Sequence, residues 1–179
     1  MFASFVQGPL VRVIPLGLVL LALQRTLFVE IQVGGVIIQI MMAMAAAAGV
    51  AGGSERGAVV GFTLGVMFDL AEGTPLGSTA TAMTVAGAVG GLLALIAADP
   101  HWWLEAIFTA LGTAAGVAMI PVLRAFIGES EPFQRQLGFV VVVVAAFGAL
   151  LSPLLVPLAR WCLRMRRPAW KQPVGDPTS

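Results

Sequence analysis

Long apolar runs recur along this 179-residue chain, and several reach the ~18–20 residues that an α-helix needs to cross a bilayer. Charged residues make up only 11% of the sequence, whereas a typical soluble domain contains roughly 25%. A chain of this composition lacks the polar surface that keeps a folded domain in water. The pattern predicts an all-α polytopic membrane protein without a soluble domain of any size.

The apolar runs divide into six segments, which predict a six-transmembrane-helix bundle in a single domain covering residues 1–167. The predicted spans are 10–29, 33–52, 57–71, 76–98, 102–126 and 137–158. The third span is short, because at 1.5 Å per residue it covers only about 22 Å of a ~30 Å hydrocarbon core. If this segment is re-entrant, the number of spans is five. Ser54, in the polar turn before it, is a candidate helix cap.

Basic residues concentrate at the C-terminal end, where the last twenty residues hold half of the cations: Arg160, Arg164, Arg166, Arg167 and Lys171. The positive-inside rule places this end in the cytoplasm, and six spans bring both termini to that side. We expect the four arginines to anchor the protein at the membrane interface and to contact acidic lipids. Trp102 and Trp103 are predicted to lie in an interfacial aromatic belt. The proline-rich residues 168–179 are predicted to form a disordered cytoplasmic tail.

Residue types that carry enzymatic or metal chemistry are scarce in this sequence. Cys162 is the only cysteine and His101 the only histidine, so neither a disulfide nor a cysteine-based metal site is expected within the chain. The sequence has no HExxH, Walker or G-x-S-G motif. We therefore expect no catalytic residues, no metal, no cofactor and no nucleic-acid partner.

Three glycines at four-residue spacing, Gly57, Gly61 and Gly65, lie in one apolar run, and the next position in the series is Asp69. Helical residues four apart share a face, so the glycines form a smooth groove that ends at a carboxylate. In a membrane such a groove permits close approach of another helix. Packing within the bundle is the favoured interpretation, and an interface for a partner subunit is the alternative.

The carboxylate of Asp69 also has two interpretations. It is either a functional group or an interfacial residue that caps a break between helices. Cations predicted on the same side of the membrane are candidate partners for it: Arg25, Arg124 and Arg135.

The residues after the first glycine extend this pattern into a longer motif, Gly61-Phe-Thr-Leu-Gly65-Val-Met-Phe-Asp69-Leu-Ala-Glu-Gly73-Thr-Pro75-Leu-Gly77. The arrangement Gly-x-x-x-Gly-x-x-x-Asp-Leu, followed by Gly-Thr-Pro-Leu-Gly, resembles the signature region of the rod shape-determining protein MreD family. The preceding Arg56-Gly57 also resembles the family's entry into this helix. Outside these 22 residues the chain agrees with the family only in architecture.

The resemblance implies a non-catalytic integral membrane subunit of the bacterial cell-elongation machinery. The implied partners are an MreC-like bitopic protein, the MreB cytoskeleton and the transglycosylase and transpeptidase enzymes of peptidoglycan synthesis. The implied fold is similar to the six-helix S-components of energy-coupling-factor vitamin transporters. The candidate packing or partner residues on this basis are Gly57, Gly61, Gly65, Asp69, Gly73, Pro75 and Gly77.

Two hypotheses follow from this resemblance. Gly61 and Gly65 form or support the packing of a partner's transmembrane helix, and Asp69 fixes the local geometry. The alternative function is an S-component-like subunit of a membrane transporter that binds a small molecule. An intramembrane enzyme would require a polar pair deep in the bundle, and no convincing pair is found in the sequence.

Overall fold

A computed structural model describes residues 10–28, 32–33, 36–37, 39–73, 75–96, 100–128 and 136–163, and most of them are helical. The first helix, α1 (Leu10–Leu23), continues into a π-helical turn at Gln24–Phe28. A short antiparallel hairpin follows, formed by β1 (Gln32–Val33) and β2 (Val36–Ile37). The remaining helices are α2 (Ile40–Gly52), α3 (Ser54–Glu72), α4 (Ser78–Gly90), α5 (Leu93–Ile96), α6 (Trp102–Ile127) and α7 (Leu137–Cys162).

Three helical segments among the described residues are long and apolar enough to cross a membrane: Ser78–Ile96, Trp102–Phe126 and Leu137–Cys162. The apolar helical character that the sequence predicts is therefore confirmed. The count of six spans stays a prediction. The predicted tail at 168–179 lies outside the described residues.

The central helix of the bundle is α2, which packs against α3, α4, α6 and α7. Each of its residues from Ile40 to Val50 is buried. Alanines and methionines make this possible, because small side chains admit neighbouring helices closely and flexible thioethers fill the gaps between them.

The predicted second span, 33–52, is wrong in its first part. Residues 33, 36 and 37 belong to the hairpin, where β-branched Val33 lies opposite Val36. The helix that remains has 13 residues and is about 20 Å long. It is therefore shorter than a bilayer core, and three of the helices packed against it, α3, α6 and α7, are longer.

The helix that contains the predicted third span, 57–71, is longer than that span, because α3 has 19 residues and is about 28 Å long. The polar residues Ser54, Glu55 and Arg56 form its first turn instead of a loop. An acidic side chain such as Glu55 is favourable near a helix N-terminus. The N-cap position belongs to Gly53, so the prediction that Ser54 caps the helix is wrong.

The predicted fourth span, 76–98, is interrupted between α4 and α5 at Gly91 and Leu92. Gly91 packs closely against the start of α3, and a Cβ atom added to it would lie 2.2 Å from the backbone nitrogen of Ser54. The last two helices agree with their predicted ranges, 102–126 and 137–158, except that α6 is one residue longer and α7 extends to Cys162.

Candidate functional site

The glycine face of α3 lies against α4 of the same chain. A Cβ atom added to Gly61 would lie 2.1 Å from the carbonyl oxygen of Met83, and one added to Gly65 would lie 2.3 Å from the Cα atom of Ala80. Real side chains essentially never approach backbone so closely. The groove that the sequence predicts is thus filled by the protein's own backbone.

Gly57, the first glycine of the series, lies where three helices meet. A Cβ atom on Gly57 would lie 2.4 Å from the Cα atom of Gly49 in α2 and 2.4 Å from the carbonyl oxygen of Gly87 in α4. Glycine on all three helices lets their backbones touch. In α6, Gly112 and Gly116 have a similar role, because both face α2 and α4.

Asp69 lies at the end of the same helical face and caps the next helix. Its Oδ2 atom accepts hydrogen bonds from the backbone N–H groups of Gly77 (2.9 Å) and Ala80 (3.3 Å), and its Oδ1 atom accepts one from Thr79 (3.2 Å). The residue is only 1% exposed. A carboxylate at a helix N-terminus satisfies free N–H donors and interacts favourably with the helix dipole. The interpretation of Asp69 as a cap at a helix break matches this geometry.

Two glycines shape the turn that brings α4 back to Asp69. Gly73 has a φ of 68° at the C-terminal end of α3, and Gly77 has a φ of 99° just before α4. Glycine adopts these left-handed conformations without the steric cost that other residues incur. Between them, exposed Pro75 accepts a hydrogen bond from Ser78 N–H at 3.1 Å. We call the residues Asp69, Gly73, Pro75, Gly77, Thr79 and Ala80 the α3–α4 corner.

The π-helical turn after α1 is tied to this end of the bundle. The Nε atom of Arg25 lies 2.9 Å from Oε1 of Glu72, and its Nη2 atom donates to the carbonyl oxygen of Ala71 at 3.2 Å. The neighbouring Gln24 is buried, and its Oε1 atom accepts a hydrogen bond from Met41 N–H at 3.3 Å. Side chains from other elements thus cap both α2 and α4.

Two of the three arginines predicted as candidate partners of Asp69 are among the described residues. Arg25 binds Glu72, three residues further along α3. Arg124 is exposed in the last turn of α6, and Arg135 lies outside the described residues.

The predicted interface residues that the structure describes, Trp102, Trp103 and Arg160, lie at the opposite end of the bundle. Trp102 and Trp103 are exposed in the first turn of α6, and Trp161 is exposed in the last turn of α7. Arg160 pairs there with buried Glu105 of α6. The arginines at 164, 166 and 167 lie outside the described residues.

Sequence patterns located the α3–α4 corner but missed other contacts. The pairs Gln24–Met41 and Glu105–Arg160 join residues 17 and 55 positions apart. No local pattern indicates such pairings. The described residues contain no group of three or more histidine, cysteine or acidic residues that could hold a metal ion.

No family model, curated protein or solved structure matches this chain. The role of the α3–α4 corner is therefore inferred from its own contacts. Those contacts fix two helices to each other through backbone and one carboxylate.

Proposed function

We propose that this chain is a non-catalytic, MreD-like subunit of the bacterial cell-elongation complex. It resides in the cytoplasmic membrane as a six-span protein with both termini inside. It binds an MreC-like bitopic protein and, through it, supports MreB-directed peptidoglycan synthesis. The fold is that of an S-component-like bundle.

The residues of the 57–77 motif act together at the contact between α3 and α4, and this observation carries the proposal. Glycines bring the two backbones together, and Asp69 binds the N-terminus of α4. The buried carboxylate accepts hydrogen bonds from three backbone N–H groups of its own chain. A motif used in this way suits a rigid subunit on which other proteins assemble.

A partner helix has to use another face of α3, because α4 already fills the glycine face. Phe62 and Leu70 are exposed on α3 and lie two helical turns apart, so they share a face. This Phe62–Leu70 face begins in the middle of α3 and ends at the α3–α4 corner. It is the proposed contact for the transmembrane helix of the MreC-like protein.

Co-purification from detergent tests this assignment. The wild-type chain should retain the MreC-like protein of its own organism, and the double variant Phe62→Ala/Leu70→Ala should lose most of it. Leu150→Ala/Leu154→Ala is a matched control, because these leucines are similarly exposed and share a face of α7. Equal retention by both double variants would show that the partner does not use this face.

Depletion of the protein in its host separates the proposed function from the alternative. A subunit of the elongation complex should give rounded cells when it is lost. Unchanged rods that need an external vitamin would instead identify a small-molecule-binding transporter subunit. Co-purification of a transporter ATPase in place of an MreC-like protein would also identify the transporter subunit.

A further inference from the structure

A pocket of about 570 Å³ opens at the end of the bundle opposite Asp69. Helices α2 and α7 end there, and α3 and α6 begin there. The polar part of its lining comes from Gly53, Arg56, Glu105 and Arg160, and the apolar part comes mainly from α2 and α5. The pocket lies at the other end of α3 from Asp69, although Arg56 in its lining directly precedes the glycine series. The role proposed for it does not depend on the cell-elongation proposal.

The charges that line the pocket favour an anion. Among the described residues that line the pocket there are two guanidinium groups and one carboxylate, so their formal charge is +1. Arg160 bridges to Glu105, whose side chain is largely buried between the helices. A guanidinium has five N–H donors, so a bond to Glu105 leaves donors for a second acceptor. Glu105 therefore acts as a positioning residue that holds Arg160 at the pocket.

Exposed tryptophans flank the pocket. Trp102 and Trp103 begin the helix that carries Glu105, and Trp161 follows Arg160 directly. Their exposed fractions are 76%, 48% and 50%. Tryptophan is enriched where lipid headgroups meet the hydrocarbon core. In a membrane, the pocket consequently lies at the depth of the phosphates.

We propose that this pocket binds a phosphate group, with Arg56 and Arg160 as its ligands. Guanidinium groups match the oxygens of phosphate in a planar, two-donor geometry. The volume and the apolar wall fit a phosphate ester with a small organic substituent. A lipid headgroup and a soluble phosphate share this chemistry, and the depth of the pocket favours the lipid.

Binding to the purified full-length protein in an uncharged detergent tests the proposal. The probes are dihexanoyl-phosphatidylglycerol, inorganic phosphate and dihexanoyl-glycerol, which lacks the phosphate. Saturable binding of the phosphatidylglycerol alone identifies the lipid as the source. Equally tight binding of inorganic phosphate identifies a soluble anion. Failure of both phosphate probes to bind, or equal binding of dihexanoyl-glycerol, would overturn the assignment.

Variants locate the site. Arg56→Gln and Arg160→Gln should each weaken binding of the phosphate probe by about tenfold or more, because each removes a charge-assisted contact. Arg12→Gln is the matched control, since exposed Arg12 lies in the first turn of α1 and outside the pocket lining. An equal loss in Arg12→Gln would mean that general positive charge attracts the anion, and no pocket would be needed.

Ala94→Trp gives a second test that changes no charge. Ala94 lines the pocket and is exposed, so a tryptophan there fills space without disturbing the core. This variant should lose binding and keep its melting temperature. If it binds like the wild type, the phosphate does not occupy the pocket. This test also shows whether the phosphate occupies the pocket if an arginine variant fails to fold.

Discussion

Asp69 supplies the helix cap that α4 does not supply for itself. The residue at the N-cap position is Gly77, which has no side chain to bind the free N–H groups of the first turn. The carboxylate of Asp69, eight positions before Gly77, accepts hydrogen bonds from the backbone N–H groups of Gly77, Thr79 and Ala80. It is almost completely buried. The side chain of Asp69 thus gives hydrogen-bond acceptors to free N–H groups at the start of α4 and links α3 to α4.

Replacement of Asp69 by asparagine should destabilise the protein by about 2 kcal/mol, within the range for lost helix caps and unsatisfied buried donors. The amide group of asparagine turns an N–H₂ donor toward N–H groups that need an acceptor. Equilibrium unfolding in mixed micelles measures the change in free energy. Glu72→Gln is the control, because it removes a charge from the next turn of the same helix at an exposed site. Its effect should be clearly smaller, and equal effects would contradict the capping role.

At the scale of single residues, the sequence predicted a special role for Asp69 but not its hydrogen-bond acceptor geometry. The four-residue spacing identified the helical face, and the Gly-Thr-Pro-Leu-Gly break indicated a turn. The contacts with Thr79 and Ala80 depend on how the turn folds back, which side-chain spacing does not encode. Arg160 was predicted as an anchor at the membrane interface, and Glu105 lies on a different helix. Their pairing follows from the packing of α6 on α7.

At the scale of helices, α3 and α4 form an antiparallel pair in backbone contact. Their close approach depends on positions without side chains along the whole interface, from Gly57 beside Gly87 to Gly65 beside Ala80. Close backbone approach maximises dispersion contacts, which drive helix association in a membrane where the hydrophobic effect is weak. The pair is therefore sensitive to a single added methyl group.

Gly61→Ala should destabilise the bundle by about 1–3 kcal/mol, because the new methyl group meets backbone that cannot move independently. The Cβ atom would lie 2.1 Å from the carbonyl oxygen of Met83. Gly138→Ala is the matched control, since this glycine is in the first turn of α7 and a Cβ atom there meets nothing within 4 Å. Thermal unfolding in detergent should separate the two variants. A wild-type melting temperature for Gly61→Ala would contradict the close backbone contact between α3 and α4 at this position.

The helix boundaries show where sequence patterns lose information. The bounds of α6 and α7 were predicted closely, because both helices are mainly apolar along their whole length. The apolar run before α2 was assigned to a helix, although its first residues form strands. Hydropathy does not distinguish a buried helix from an apolar hairpin. The first turn of α3 was assigned to a loop because its residues are polar, although they are helical.

At the scale of the whole molecule, the two ends of the bundle have different structures. One end carries the α3–α4 corner with its capped helices and the Arg25–Glu72 ion pair. The other carries exposed tryptophans and the pocket lined by Arg56 and Arg160. Helix α7 ends at this second end, and the sequence after it is rich in basic residues. The difference predicts one orientation in the membrane, with the tryptophan end inside.

Labelling of single cysteines with a membrane-impermeant maleimide tests this orientation. The background is Cys162→Ser, which removes the only native thiol. Leu76 and Leu95 are comparable positions at opposite ends, with exposed fractions of 72% and 82%. Leu76→Cys, in the α3–α4 corner turn, should react in intact spheroplasts, because that end faces outward. Leu95→Cys, in α5, should react only after the membrane is permeabilised. The reverse pattern would place the basic end outside and contradict the orientation, whereas reaction of both cysteines in intact spheroplasts would contradict a bundle that crosses the membrane.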